Sequence, residues 1–365
     1  MGNSMGRNRQ NRLREAIPIT PPAPLPEAEE IDVPSILNEY LSGSIDLIVV
    51  LGPTASGKTR YAVNLAHTIG GIVSSGNASL RSVPPPTASA VPPLTWPRVA
   101  TVAEGTMPPI AEIISADSRQ IYRNMDIGTG KDLEEYGDVP YHLIDLVPAG
   151  TRFDLYQWQQ TFEEAYRDIR SRGRIPLLCG GTGLYIQAAT SGYSLPQVPP
   201  DEELRAELET YDIEDLTGRL AELGPLPDEG VLQSKRRVIR ALEVALYKKN
   251  HPVAETSFEP KKAYFIGTLV DREERNARID RRLDARLQGG LIEEVRSLLQ
   301  SGIRPEDLMY YGLEYKFVTQ HVLGILTYEE MRTLLGNAIH QFAKRQMTWF
   351  RGMEKDGIRI HWTNV

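Results

Sequence analysis

The sequence predicts an α/β fold: a parallel sheet flanked by helices, extended by a small helical insertion and a helical C-terminal region. Three stretches predict it. Residues 46–59 read DLIVVLGPTASGKT, an apolar β-branched run closed by Gly52, four residues and Gly57-Lys58-Thr59. Residues 113–116 form a second short apolar run that ends at Asp117, and residues 175–183 read IPLLCGGTG, a third run closed by glycines. Runs that are apolar without alternation suit strands buried on both faces, as parallel strands are.

Taken in order, Ile48, Val49, Val50 and Leu51 read as the first strand, and Arg60 to Ile69 carries the apolar spacing of a helix. The glycines therefore fall at a strand-to-helix turn, the context that a phosphate-binding loop requires. Backbone N–H groups of Gly52, Thr54, Ala55, Ser56 and Gly57 would cradle phosphate oxygens, Lys58 would neutralise them and the Thr59 hydroxyl would bind Mg2+. This makes the core P-loop NTPase-like. The second strand sets Asp117 at a carboxyl end of the sheet, where ligands of open α/β sheets bind. Asp117 there is a general base, a metal-associated acid, or a helix N-cap or turn residue. Asp154 to Arg172 has helical character, and Ile175 to Cys179 forms the third strand before the Gly180-Gly181-Thr182-Gly183 turn, which repeats the strand-turn-helix plan.

Composition sets outer limits. The 365 residues suffice for one or two domains with a large core, and no apolar run approaches the length of a membrane span. The N-terminus lacks the apolar core of a secretory signal, and Gly6 stands where a myristoylation signal wants Ser or Thr. A cytoplasmic protein is expected. The single cysteine, Cys179, excludes an internal disulfide and reads as core. A net charge of −7 argues against indiscriminate nucleic-acid binding, though not against a local basic face.

Two segments read as additions. Residues 1–43 pass from an Arg/Asn-rich stretch through TPPAPLPEAEE and are expected to be a flexible tail. Residues 71–109, rich in Pro, Ser, Thr and Ala, interrupt the core between helix and strand, which loop-closure entropy tolerates. The expected division is a core over 44–196, a small helical insertion over 197–235, and the rest of the core with a C-terminal helical region over 236–365.

The motifs GPTASGKT, SADSRQIYRNMDIGTGK, PYHLID, PLLCGGTGLYI, RRVIRALEV and AKRQMTWFR, in that order from about 45 to 362, resemble one family: the tRNA dimethylallyltransferases, or tRNA isopentenyltransferases. The resemblance implies transfer of a dimethylallyl group from dimethylallyl diphosphate to N6 of an adenosine beside the anticodon of tRNA, without ATP as an obligate substrate. Adenine's exocyclic amine is a weak nucleophile, so a carboxylate that takes its proton helps, and the resemblance gives Asp117 that role. Thr182 would bond near the reacting centre, and Ser118 and Gln120 would help seat the base. Lys58, the loop amides, Mg2+ on Thr59 and an arginine would meet charge building on diphosphate. Arg240, or else Arg237, is the candidate arginine. Family pattern sets Lys344, Arg345, Gln346 and Trp349 near the tRNA anticodon loop. Nothing in the sequence fixes an oligomeric state, and a monomer is favoured.

Arg272, Arg275, Arg278 or Arg282, and Arg286 recur along a helix among acidic residues, a pattern that suits phosphate contact and a salt-bridged solvent face equally. The chain departs from the family in two places: Glu314 precedes Tyr315-Lys316 where a small residue is usual, and His340 stands where arginine is usual. Both lower the local positive charge. The alternatives are an adenylate isopentenyltransferase acting on AMP or ADP, a P-loop small-molecule kinase, and a non-catalytic RNA-binding paralogue, against which the presence of Lys58, Thr59, Asp117 and Thr182 argues.

Overall fold

The computed structural model describes residues 24–75, 110–191, 198, 200–227, 229–251 and 258–365. The core is a six-stranded sheet in the order β4-β2-β6-β1-β7-β8, parallel throughout. Its strands are β1 (Leu47–Leu51), β2 (Ala111–Ser115), β4 (Tyr141–His142), β6 (Ile175–Gly180), β7 (Ala263–Leu269) and β8 (Ile360–Asn364). A two-stranded parallel ladder joins β3 (Tyr122–Arg123) to β5 (Val147–Pro148). Register pairs Val50 with Cys179 on one side and with Ile266 on the other, which makes β1 central.

The continuous apolar run of β1 has the cause expected of it. Leu47, Val49 and Leu51 enter one core cluster while Ile48 and Val50 enter the other, so both faces of the strand are covered. Helix α2 (Lys58–Ser74) lies in the second cluster. The first cluster takes α3 (Leu155–Ser171), α4 (Gly183–Thr190) and the C-terminal helices α9 (Arg272–Gln288), α10 (Leu291–Gln300), α11 (Pro305–Tyr310), α12 (Leu313–Val322) and α13 (Tyr328–Lys355). Helix α3 begins with a capping box, in which Asp154 accepts from the Gln157 amide and Gln157 from the Asp154 amide.

Three expected boundaries need correction. Ten residues near the end of the supposed tail form α1 (Val33–Ser42), capped by Asp32, which buries Ile36, Leu37 and Tyr40 against α2. Residues 1–23 lie outside the described residues, as do 76–109 of the expected insertion, whose first five residues, 71–75, instead complete α2 and its C-cap. Farther on, α5 (Glu202–Leu208), α6 (Ile213–Leu223), α7 (Glu229–Leu232) and α8 (Lys235–Asn250) form the small helical unit. Its own core joins Leu208, Leu216 and Leu220 to Val238, Ile239 and Leu242, so α8 belongs with this unit and not with the main body.

Candidate active site

The loop between β1 and α2 is shaped by close approach. A Cβ on Gly52 would lie 2.2 Å from Thr268 Oγ1 and 2.5 Å from Ser56 Oγ. Gly57, the N-cap of α2, sits at φ 78°, and Ala55 at φ 61°, left-handed values that turn the chain around the phosphate position. The Ser56 hydroxyl is fully buried and bonded to Thr268 Oγ1 at 2.7 Å, so Ser56 serves the loop's shape and can reach a ligand only through its backbone. Lys58 and Thr59 open instead onto a cavity of about 610 Å³.

Asp117, Ser118 and Thr182 line the same cavity. Asp117 lies two residues past the end of β2, and its Oδ1 accepts the Arg119 amide at 2.8 Å. It is thus a turn residue and a cavity residue at once: the local bond orients the carboxylate toward the site. Thr182 precedes α4, and its Oγ1 accepts from the Ser118 amide at 3.5 Å. These two turns meet because β2 and β6 are neighbours; a Cβ on Gly180 would lie 2.4 Å from the Ala116 carbonyl oxygen.

Burial lowers the Lys58 pKa from its ordinary value, with Cys179 and Asp117 opposing that shift. Cys179 is core, as expected, and burial pushes its thiol up to about 12, leaving it protonated and inert as a nucleophile.

Two of the cavity's arginines come from α9. Arg282 pairs with Asp132, and Arg286 lies 3.7 Å from Asp132 and 3.8 Å from Glu314. Both guanidinium groups press on Gly130, where a Cβ would lie 1.7 Å from Arg286 Nη2. The arginine stripe therefore divides. Arg278 and Arg281 pair with Glu274 on the outer face, Arg275 is buried, and Arg282 and Arg286 line the cavity. Glu314 also lines it, and burial raises its carboxyl above the usual range against the pull of Arg286.

Several expected residues stand elsewhere or are committed to protein contacts. Arg240 pairs with Glu243 on its own helix and donates to the Val198 carbonyl at 2.8 Å, and Arg237 donates to the Gly230 carbonyl at 2.9 Å; neither lines the cavity. Both sit on α8, inside the small helical unit. Gln120 is buried, with Oε1 accepting from Ser115 Oγ at 2.9 Å and Nε2 donating to the Gly130 carbonyl at 3.1 Å, so it braces the cavity wall that it helps to line. Gln346 is likewise buried and bonded to protein at both ends, accepting the Thr54 amide and donating to the Gly181 carbonyl. Lys344 is exposed on α13 and outside the cavity wall. His340 lies 3.0 Å from Asp280 and does not line the cavity either.

Arg345 and Trp349 do reach the cavity, at its mouth. There Tyr310 (51% exposed), Phe342 (39%), Trp349 (38%) and Leu184 (41%) form an apolar rim. Arg119 stands 5.7 Å from the Tyr310 ring centre and Arg345 5.8 Å from that of Phe342. Flat rings with cations above them suit stacked bases and their phosphates. The Trp349 indole N–H donates to Gln187 Oε1 at 2.8 Å, and its ring packs where only glycine fits: a Cβ on Gly183 would lie 2.2 Å from Trp349 Cδ1.

One constellation escaped sequence reasoning. The amides of Asp126, Ile127 and Gly128 all donate to the Glu294 carboxylate, at 2.8, 2.8 and 3.0 Å, and Tyr315 Oη donates to it at 2.7 Å. Lys131, almost wholly buried, pairs with Asp126 and Asp145. The DIGTGK stretch is therefore a folded bracket that presents Gly128 to Gly130 to the cavity. Its glycine spacing was the available signal.

Residues 120–353 match the model of a family described as IPP transferase, nearly two thirds of the chain. The chain belongs to the IPP transferase family. Curated relatives agree over nearly its whole length. A protein named tRNA dimethylallyltransferase 1 from Porphyromonas gingivalis is 48% identical over 323 residues, covering 87% of this chain and 94% of its own. One named tRNA dimethylallyltransferase 2 from Bacteroides fragilis is 44% identical over 324 residues, covering 88% and 93%. Among solved structures, the tRNA isopentenylpyrophosphate transferase of Bacillus halodurans superposes with a TM-score of 0.57 at 31% identity, covering 87% of this chain and 89% of that one. A eukaryotic dimethylallyltransferase captured acting on tRNA shares the fold, with a TM-score of 0.57 at 21% identity. Family membership thus carries the P-loop-like core expected from the sequence.

Proposed function

We infer that this protein transfers a dimethylallyl group from dimethylallyl diphosphate to N6 of an adenosine beside the anticodon of tRNA. The observation that carries the reading is the convergence of a phosphate loop and a carboxylate on one cavity, with Lys58 and Thr59 at one wall and Asp117 and Thr182 at the adjoining one. Relatives bearing the corresponding name at 44–49% identity support the tRNA acceptor.

In the reaction, the amine nitrogen attacks the first carbon of the prenyl chain, the carbon–oxygen bond breaks, diphosphate leaves and the amine proton passes to Asp117. Lys58 and the loop amides bind the diphosphate where its charge grows, and Arg282 is placed to add to them. Arg286 faces the same space. Thr182 donates to or accepts from the base beside Asp117. The base enters splayed from the loop, because Asp117 lies at the cavity wall while the aromatic rim lies at its mouth.

A magnesium ion fits this site. Thr59 opens onto the cavity beside Lys58, so its hydroxyl would hold the ion together with diphosphate oxygens. When bound, the ion supplies charge neutralisation to the leaving group. Among the described residues no helix is long and apolar enough to cross a membrane, and a tRNA acceptor is compatible with a cytoplasmic location.

The test is incubation with dimethylallyl diphosphate and magnesium, offering unmodified tRNA and AMP in parallel, followed by mass spectrometry of the digested nucleosides. Prenylated adenosine from tRNA and none from AMP is the expected result. Modification of AMP alone would move the protein to the adenylate branch, and modification of neither would overturn the reading.

A further inference from the structure

The carboxamide of Gln346 joins the two glycine turns of the site. Its Oε1 accepts the Thr54 amide at 2.8 Å, in the loop after β1, and its Nε2 donates to the Gly181 carbonyl at 2.8 Å, in the turn after β6. A carboxamide accepts at one end and donates at the other, which is what one amide and one carbonyl facing each other require. The space is closed around it: a Cβ on Gly181 would lie 2.4 Å from Gln346 Nε2 and 3.1 Å from the Gly52 carbonyl oxygen. Gln346 is 8% exposed, whereas Arg345 before it and Trp349 three residues on are exposed at the rim. Gln346 borders the cavity, but with both polar ends committed and little surface left its carboxamide has no hydrogen-bonding group free for an RNA.

We propose that Gln346 is a positioning residue, which fixes the distance between the loop holding the diphosphate and the turn holding the acceptor amine, and that it makes no contact with tRNA. The proposal rests on the donor and acceptor assignments above. In-line displacement needs the attacking nitrogen, the prenyl carbon and the leaving oxygen aligned, and misplacement by about 1 Å costs on the order of a hundredfold in rate. Thr54 and Thr182 sit on separate turns after separate strands. Their neighbours Gly52 and Gly181 approach without a hydrogen bond of their own among those described, and Gln346 supplies the bridge.

The experiment compares Gln346→Met, which keeps length and loses both hydrogen bonds, with Gln346→Glu, which keeps an acceptor for Thr54 but sets an oxygen against the Gly181 carbonyl. Both should lower kcat about a hundredfold and leave the tRNA dissociation constant unchanged within error. Trp349→Ala should show the opposite division. Weakened tRNA binding with kcat preserved, or no effect on either, overturns the proposal. Gly181→Ala displaces the intact Gln346 side chain and guards against misfolding of the Gln346 variants. It should cost as much as Gln346→Met, and the double variant should cost no more than either alone, while additive losses would overturn the shared cause. Hydrogen exchange at the Thr54 amide is independent of any transfer. Faster exchange in Gln346→Met supports the bridge and unchanged exchange refutes it, even should the wild type modify no tRNA and the functional reading fall.

Discussion

Glu112 lies on β2, five residues before Asp117, with its side chain 5% exposed. Burial alone would raise its carboxyl, but Arg172 and His142 outweigh that and bring it down to about 2 from an ordinary 4.5. Arg172 grips both carboxylate oxygens from the C-cap of α3, and His142 on β4 lies 2.7 Å from Oε2. The depression corresponds to about 3 kcal/mol, at about 1.4 kcal/mol per pKa unit. A carboxyl whose folded pKa is depressed stabilises above its unfolded pKa. The contribution of Glu112 should therefore be complete at pH 7, begin to fall below about 4.5 and be lost as pH drops through about 2. Glu112→Gln keeps the shape and removes the charge. Urea unfolding at pH 7 should show a loss of about 2 to 3 kcal/mol, with the gap to wild type narrowing at each step below pH 5. Transfer kinetics of the folded fraction should hardly move, since Glu112 touches no cavity residue's polar atoms. A gap under about 0.5 kcal/mol, or one that stays constant down to pH 3, would refute the charge argument.

Four further outcomes follow from the site. Asp117→Asn should lower kcat by about 10²- to 10⁴-fold with tRNA binding intact, measured in single-turnover assays with bound tRNA; a wild-type rate would remove Asp117 as base. Arg282→Gln should weaken binding of dimethylallyl diphosphate about tenfold by calorimetry while Arg240→Gln does not, because only the former lines the cavity; the reverse order would restore Arg240 as the donor's arginine. Tyr310→Ala and Trp349→Ala should each loosen tRNA about tenfold or more in filter binding with kcat at saturation preserved, and unchanged affinity would exclude stacking at the rim. Glu314→Gly frees Arg286 of one carboxylate and should tighten the donor dissociation constant about fivefold; looser binding would show instead that Glu314 orders the site.

The donor half of the site was legible because its signals are local. A buried strand, a glycine turn and a helix start follow one another within about twenty residues, and β1, β2 and β6 each show a continuous apolar run for the same physical reason, burial on both faces. Asp117 and Thr182 could be placed at one edge because parallel strands put all their carboxyl ends on one side. What failed was whatever depends on packing at a distance. Arg240 was assigned by motif, yet its partner Glu243 lies one turn on, and α8 packs on α5 and α6. Gln346 and Gln120 read as substrate contacts because polar residues in a motif suggest a ligand; both line the cavity, but their carboxamides are bonded to protein, Gln346 to the Thr54 amide and the Gly181 carbonyl and Gln120 to the Ser115 hydroxyl and the Gly130 carbonyl, pairings that no spacing reveals. The helix α1 was hidden by the proline-rich composition before it, although Ile36, Leu37 and Tyr40 have helical spacing. The arginine stripe was read as an even choice, and the structure splits it three ways: Arg278 pairs on the outer face, Arg275 is buried, and Arg282 and Arg286 line the cavity.

Helix α13 carries consequences for how this protein can change. Phe342, Arg345, Gln346 and Trp349 occupy steps of three, one and three residues on one face, while Ala343, Met347 and Phe350 fill the core behind. Inserting or deleting one residue N-terminal to them would turn the face by about 100°, carrying the bridge, the rim cation and the indole away together. The segment between α2 and β2 is attached differently. Because α2 leaves the carboxyl edge of the sheet and β2 enters from the amino edge, both its attachment points, Ser75 and Ile110, lie across the sheet from the cavity. Lineages of this fold can lengthen or trade that connection, and an engineer can graft a reporter into it, while the count of residues along α13 stays fixed.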